Sequence, residues 1–450
     1  MMKKGISITV FLLISALCLL AQSKKYDTQE KDDFLEGDSY FVYGDFLTAY
    51  TYFKKIEEVD LEFEELYFKM GYSLMYLKRY AEAIPYLTKS KDYQIESEYY
   101  LAKINLHLEL LDQAKKHISN YENKWTEQSA KYTKNDIDFI KEQIAFAEEA
   151  LSMPEQVNIL NLGPAINTSA DEYVPLIDAN ESQLIFTSKR LSAKNGMSPS
   201  GFPFEDVFVS KKLENGDWSA AVELPGNVNS PLNDACVGLS PNGEILYVFR
   251  PNESIYAGDL YESEFKNNQW NTPVILSNRI NDFRSVEASA SVAIDESVLY
   301  FSSNREGGYG GFDIYRSIKL PNGEWSWPKN LGPRINTAKN EDAPFLHPNG
   351  KTLYFSSQGH KNMGGYDVFK SEKSDDDTWT IPSNLGSPTN TTRDDIHFVI
   401  SANEQRAYYS SKKESGYGGQ DIYLIDYLEK SLRQSVIRGN IFDSNKQAVR

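Results

Sequence analysis

Five aspartates recur with an aromatic residue two positions on: Asp206-Val207-Phe208, Asp259-Leu260-Tyr261, Asp313-Ile314-Tyr315, Asp367-Val368-Phe369 and Asp421-Ile422-Tyr423, at spacings of 53, 54, 54 and 54 residues. Carboxylates can serve as general acids and bases or hold a cation. A catalytic site, however, needs unlike groups converging on one point, whereas a residue repeated at a fixed period occupies equivalent places in equivalent units. The five aspartates therefore read as acceptors for backbone or neighbouring side-chain hydrogen bonds at the start of a strand. A second periodic set is Glu172, Asp234, Glu287, Asp342 and Asp395, flanked by Asp171, Glu341 and Asp394. Gathered around an axis, these acids could hold a hard cation such as calcium, which takes six to eight oxygens. Separate pairing or solvation of each acid is the favoured reading, so no metal is expected.

Other chemistry is poorly supported. Gly307-Gly308-Tyr309-Gly310-Gly311 has the glycine content of a phosphate loop but joins two strand patterns and opens no helix. His347, His360 and His397 stand at non-equivalent positions of different units, with no Cys or His at metal-ligand spacing. No Ser-His-acid set emerges from spacing, and the Asp and Trp of each unit lie too far apart for a Ser-x-Asp-x-Gly-x-x-Trp box. The expectation is a protein that is not an enzyme and carries no cofactor.

The elements that carry these residues repeat with them. In the fourth unit Ala343–Leu346 reads as a first strand, Pro348-Asn349-Gly350 as a turn, Thr352–Ser356 as a second strand, Tyr366–Ser371 as a third, and Trp379–Ile381 as the start of a fourth. Asn-Gly between alternating runs marks a hairpin, because both residues tolerate positive φ. Trp218, Trp270, Trp325 and Trp379 follow the first four aspartates by 11 or 12 residues, and the fifth unit has no such Trp. Four-stranded units at this period predict a five-bladed β-propeller over residues 155–430. The fifth unit lacks its fourth strand, while residues 157–167 resemble the segment Leu331-Gly332-Pro333-Arg334-Ile335-Asn336. Residues 156–162 are therefore expected to complete the last blade and close the ring. The Pro-Asn-Gly turn, the Leu-Tyr-Phe-Ser-Ser strand and the Gly-Gly-Phe-Asp-Ile-Tyr strand resemble the TolB-type, WD40-like repeat.

Ahead of the propeller, small and bulky residues recur at helical spacing: Gly37, Tyr40, Ala49 and Phe53, then Gly71, Leu74, Ala83 and Leu87, then Ala102, Ala114 and Ile118. Small residues where helices approach closely let antiparallel pairs nest and stack. Residues 31–152 resemble tetratricopeptide (TPR) repeats, with a final helix near Asn135–Leu151 whose stripe of Ile137, Ile140, Ile144 and Ala147 would cap the stack. The fold class is thus α + β multidomain, a TPR-like α-solenoid followed by the propeller. The resemblance implies a groove that grips a partner's peptide or helix, with Tyr67, near the place of that family's opening Trp, as a contact residue.

Where units depart from the repeat, binding is more plausible than catalysis. The first unit carries an insertion, Leu191–Phe204, with Met197 and Phe202 as apolar candidates for a protein partner.

The formal charge is −17 and no Lys/Arg cluster stands out, which argues against nucleic acid. Lys3 and Lys4, an apolar run from Ile6 to Leu20, and Ala21-Gln22-Ser23 form a secretory signal over residues 1–23. Its removal leaves Cys236 as the sole thiol, so packing must supply the stability. Residues 435–450 begin a further β domain, similar to the opening of carboxypeptidase-regulatory-like modules. This order of parts resembles OmpA-family periplasmic proteins, including a peptidoglycan-tethering accessory component of the type IX secretion and gliding machinery. The resemblance implies an exported, non-catalytic scaffold in the periplasm, associated with the outer membrane or cell wall and binding protein partners there. Peptidoglycan binding would depend on an OmpA-like domain. The alternative is a propeller that binds or processes a glycan or peptide ligand.

Overall fold

The computed structural model describes residues 28–57, 64–127, 131–192, 196–197, 203–251, 258–413 and 415–427. The expected signal, the further β domain expected from residue 435 and Phe202 lie outside them. The chain divides into two compact units at Lys141/Glu142.

The first unit is helical: α1 (Thr28–Tyr43), α2 (Phe46–Glu57), α3 (Glu64–Tyr76), α4 (Tyr80–Ser90), α5 (Glu96–His107) and α6 (Leu111–Lys124), followed by α7 (Lys134–Ser152), which crosses into the second unit. The helices pack as the pairs α1/α2, α3/α4 and α5/α6, and each pair contacts the next. The small residues do what their spacing predicts. A Cβ on Gly71 would meet the Leu87 side chain at 2.7 Å, so only glycine lets α3 and α4 come this close. Ala49, Phe53, Ala83, Leu87, Ala102, Ala114 and Ile118 are buried, as is the Ile137–Ile140–Ile144–Ala147 stripe of α7.

The second unit is a five-bladed propeller. Blade one is β2 (Glu172–Ile177), β3 (Gln183–Ser188), β4 (Asp206–Lys211) and β5 (Val222–Glu223). Blade two is β6 (Ala235–Leu239), β7 (Ile245–Pro251), β8 (Gly258–Lys266) and β10 (Val274–Ile275), with β9 (Gln269–Trp270) also on β8. Blade three is β11 (Glu287–Val292), β12 (Val298–Ser303), β13 (Asp313–Ile318) and β14 (Lys329–Asn330). Blade four is β15 (Glu341–Leu346), β16 (Thr352–Ser357), β17 (Asp367–Glu372) and β18 (Ser383–Asn384). Blade five is β19 (Ile396–Ile400), β20 (Arg406–Ser411), β21 (Asp421–Asp426) and β1 (Asn158–Asn161). The innermost strands β2, β6, β11, β15 and β19 neighbour one another in a closed cycle.

The closing strand is the one expected. β1 pairs antiparallel with β21, Ile159 opposite Ile425 and Leu160 opposite Leu424. A side-chain latch then joins blade five to blade one: Arg406 donates two 2.8 Å hydrogen bonds to the Glu181 carboxylate, and the Tyr408 hydroxyl donates a third at 2.9 Å.

The reading of the fourth strand needs correction. In blade four that strand is Ser383–Asn384, and Trp379 precedes it, making only a bridge to Lys373. The four Trp side chains are instead buried core residues between blades, as Trp218 shows by meeting Tyr408 edge-on across the closure. A large ring with one polar edge covers more of the interblade seam than a strand residue facing solvent would.

Candidate functional site

The periodic acids mark the start of each innermost strand, and each is spent within its own blade. Glu172 accepts from the Thr168 amide, the Thr168 hydroxyl and the Ser188 hydroxyl at 2.6–2.8 Å. Glu341 repeats this with Thr337 and Ser357, and Asp395 with Thr391 and Ser411. Glu287 accepts from the Ser285 and Ser303 hydroxyls, and Asp234 from the Ser230 amide and the Arg250 guanidinium. All five are fully buried. The member contributed by blade four is Glu341, opposite Ser357; Asp342, assigned to this set from sequence, lies one residue further on and belongs elsewhere. None of the five is among the residues lining the narrow space at the axis, and among the described residues no cluster of three or more His, Cys, Asp or Glu could hold a metal ion. Burial raises the Asp395 pKa to about 7 against its hydrogen bonds, and raises those of Glu287 and Glu341.

The Asp-x-aromatic residues are also structural. Asp313 accepts from the Tyr309 amide and the Asn330 side chain, Asp367 from the Met363 amide and Asn384, and Asp421 from the Tyr417 amide and Asn161. These bonds fix the Gly-rich turn to the outermost strand.

Sequence reasoning missed the side chains that brace the strands beside these acids. Asn167, Asn229, Asn281, Asn336 and Asn390 each clasp one strand residue's amide and carbonyl, on Ile422, Val207, Leu260, Ile314 and Val368, at 2.8–3.0 Å. Each clasped strand residue lies one position after the Asp of the motif. Arg190, Arg250 and Arg305 then tie the second strand's end of each blade to the loop entering that blade, through the carbonyls of Ile166, Val228 and Ile280, while His360 contacts that of Ile335. The signal was present as an Asn after the Gly-Pro-x-Ile segment, and as an Arg two residues beyond Ser188 and Ser303.

Five-fold sameness breaks at the axis. A narrow space there, with about 30 Å³ open to water, is lined by residues from all five inner strands, including Val174, Gly238, Ala290, Ala343 and His397. That volume suits roughly two waters. Asp342 accepts from Ser289 and Ser302 of the neighbouring blade at 2.5 and 2.6 Å. Burial lowers the His397 pKa to about 4, with Asp342 opposing the shift.

The remaining candidates fall on two surfaces. Tyr67 is half-buried between α3 and α4, its ring stacked on Tyr86 at 6.4 Å and under the Lys89 ammonium. Met197 is exposed and bridges to Pro203 in the first-blade turn.

This arrangement defines a closed five-bladed propeller, preceded in the chain by a helical unit, with its repeated polar residues built into the frame. No protein-family model matches the chain, and no curated protein matches it. Among solved structures, TolB of Acinetobacter baumannii is similar over 62% of this chain and 57% of its own, at 14% identity and a TM-score of 0.34. A structure assigned as TolB from Agrobacterium tumefaciens is similar over 60% of this chain and 97% of its own, at 16% identity and a TM-score of 0.31. A glycoside hydrolase is similar over 68% and 98%, at 10% identity and a TM-score of 0.42. The propeller assignment rests on the strand pairing above. Likeness at this level carries no activity across.

Proposed function

We propose that this chain is a non-catalytic, exported adaptor that works in the periplasm, associated with the outer membrane or cell wall, and holds protein partners on its helical pairs and propeller faces. The observation that carries the reading is the fate of the repeated acids. Each is buried and hydrogen-bonded inside its own blade, so the most regular polar residues of the chain serve the frame and leave its surfaces for binding. The family resemblance of the sequence directs those surfaces to machinery of the type IX secretion and gliding kind. In that family peptidoglycan binding belongs to an OmpA-like domain, and it is assigned to no residue here.

The test is affinity capture with the full chain from envelope extract, with the bound proteins identified by mass spectrometry. Reproducible enrichment of outer-membrane components is the expected result; recovery of none counts against the adaptor.

A second reading, a propeller that binds or processes a glycan or peptide, draws on the Asp342 and His397 asymmetry at the axis. The space beside them is too small for a sugar ring unless the inner strands part. Calorimetric titration with cell-wall oligosaccharides, expected to release no heat of binding, separates the two.

A further inference from the structure

The Gly-rich turns between the second and third strands of blades three, four and five are built alike. Each aims one backbone amide at the motif aspartate: Tyr309 to Asp313, Met363 to Asp367 and Tyr417 to Asp421, at 2.6–2.8 Å. At blade four this turn is covered by the chain itself. The part of α7 that belongs to the propeller unit lies on it: Gln143 donates 2.6 Å hydrogen bonds to Asn362 Oδ1 and the Gly364 carbonyl. Phe146 sits beneath the Lys361 ammonium at 4.5 Å, and Glu149 pairs with the same lysine at 3.4 Å. Residues spaced three apart lie along one face of a helix. Met363 is 0% exposed in this setting, whereas its counterpart Tyr309 is 52% exposed.

Blade three presents more apolar surface at the same end. The loop entering β11 and the turn leaving β12 are joined there by the Val286 amide donating to Asn304 Oδ1 at 2.7 Å. Phe283 in that loop is 79% exposed, with the Arg284 guanidinium over its ring. Blade four has Thr337 and Ala338 at these positions. Two exposed aromatics and an arginine, on a loop and a turn tied by the Val286–Asn304 bond in the blade next to one whose turn is covered by a helix with an acid, are complementary to a second helix of that kind.

We propose that the turn end of blade three, centred on Phe283, Arg284 and Tyr309, docks an acidic amphipathic helix of a partner protein in the manner in which α7 covers blade four. The inference rests on the adaptor reading and gives its propeller face a specific ligand chemistry. The helix presents an apolar or aromatic residue to Tyr309 and Phe283 and a carboxylate to Arg284.

A labelled peptide of residues 134–152, which carries five acids and two lysines, is a suitable probe of that chemistry. Fluorescence anisotropy with the full chain should show saturable binding, weakened about tenfold by Tyr309→Asp or Phe283→Ser and unchanged by Lys361→Ala. Circular dichroism establishes that each variant is folded. No saturable binding, or binding indifferent to both blade-three substitutions, overturns the proposal. Loss in Lys361→Ala instead means that the peptide displaces α7 from blade four, which also overturns it. Self-association of the full chain that Tyr309→Asp abolishes would assign the surface to a second copy and likewise defeat the idea. Envelope capture that succeeds while the peptide fails leaves the adaptor standing and removes only this site.

Discussion

At Asp395, a carboxyl group is held out of water by its own blade. Its folded pKa of about 7 lies above the value near 4 expected of an unfolded aspartate, so the folded state binds the extra proton between those limits. Stability from this group is full below about pH 4 and is lost as pH rises through about 7. Glu287, Glu341 and Asp367 shift in the same direction through burial. His397, two residues from Asp395, works the other way, since its lowered pKa adds stability as pH rises from about 4 toward the ordinary histidine range. Comparing the chain with Asp395→Asn isolates the aspartate. The stability of the native chain relative to the variant should fall between pH 4 and 7, on the order of 1 kcal/mol per pH unit where the two states differ by one proton. Chemical denaturation across that range checks it, and parallel curves would refute the assignment. At this scale the sequence was half legible. Period alone revealed the acids, but the choice between Glu341 and Asp342 turned on which of them faces Ser357 across β15 and β16.

The element that decides the propeller's integrity is β1, a strand of only four residues. It covers the outer edge of β21, whose amides and carbonyls would otherwise template pairing with another chain. Deleting residues 157–161 should lower the propeller's melting temperature and produce concentration-dependent dimers, read by light scattering, while the Arg406–Glu181 latch still joins blades five and one. A monomer that melts like the intact chain would show that the latch alone suffices. The Gly-rich turns belong to this scale too. A Cβ on Gly310 would stand 2.0 Å from the Lys339 carbonyl, so the glycine allows blade three to seat against the loop entering blade four. Read as a string, that segment is a turn joining two strands; the structure adds that it seats against the loop entering the next blade. The insertion in blade one was visible as irregularity, but its chemistry was not, because loops without period offer no pattern from which to read a partner.

Over the whole molecule, two units carry separate cores. Phe53 is buried in a cluster with Ala49, Leu66 and Met70, and Phe355 in one with Ile335, Leu353 and Trp379. Truncating either ring should cost about 3–5 kcal/mol, from lost transfer energy and the cavity left behind. Phe53→Ala is expected to lower one calorimetric transition and Phe355→Ala the other; a single transition moved equally by both would show that the units unfold as one.

Periodicity was sufficient to determine the blade count, the helix pairs and the strand that closes the ring. Each follows from local patterns repeated at a fixed interval: paired small residues in the helical unit, Asn-Gly turns and Asp-x-aromatic strands in the propeller, and one surplus strand matching one missing strand. Tertiary structure alone decided where the polar residues point. It turned the acids into their blades, placed the tryptophans in the seams, joined the five asparagines to strand backbones more than a dozen residues away, and covered the turn of blade four while leaving that of blade three exposed. The physical reason is that side-chain direction and burial depend on contacts between repeats, and a repeat read along the chain contains no record of its neighbour.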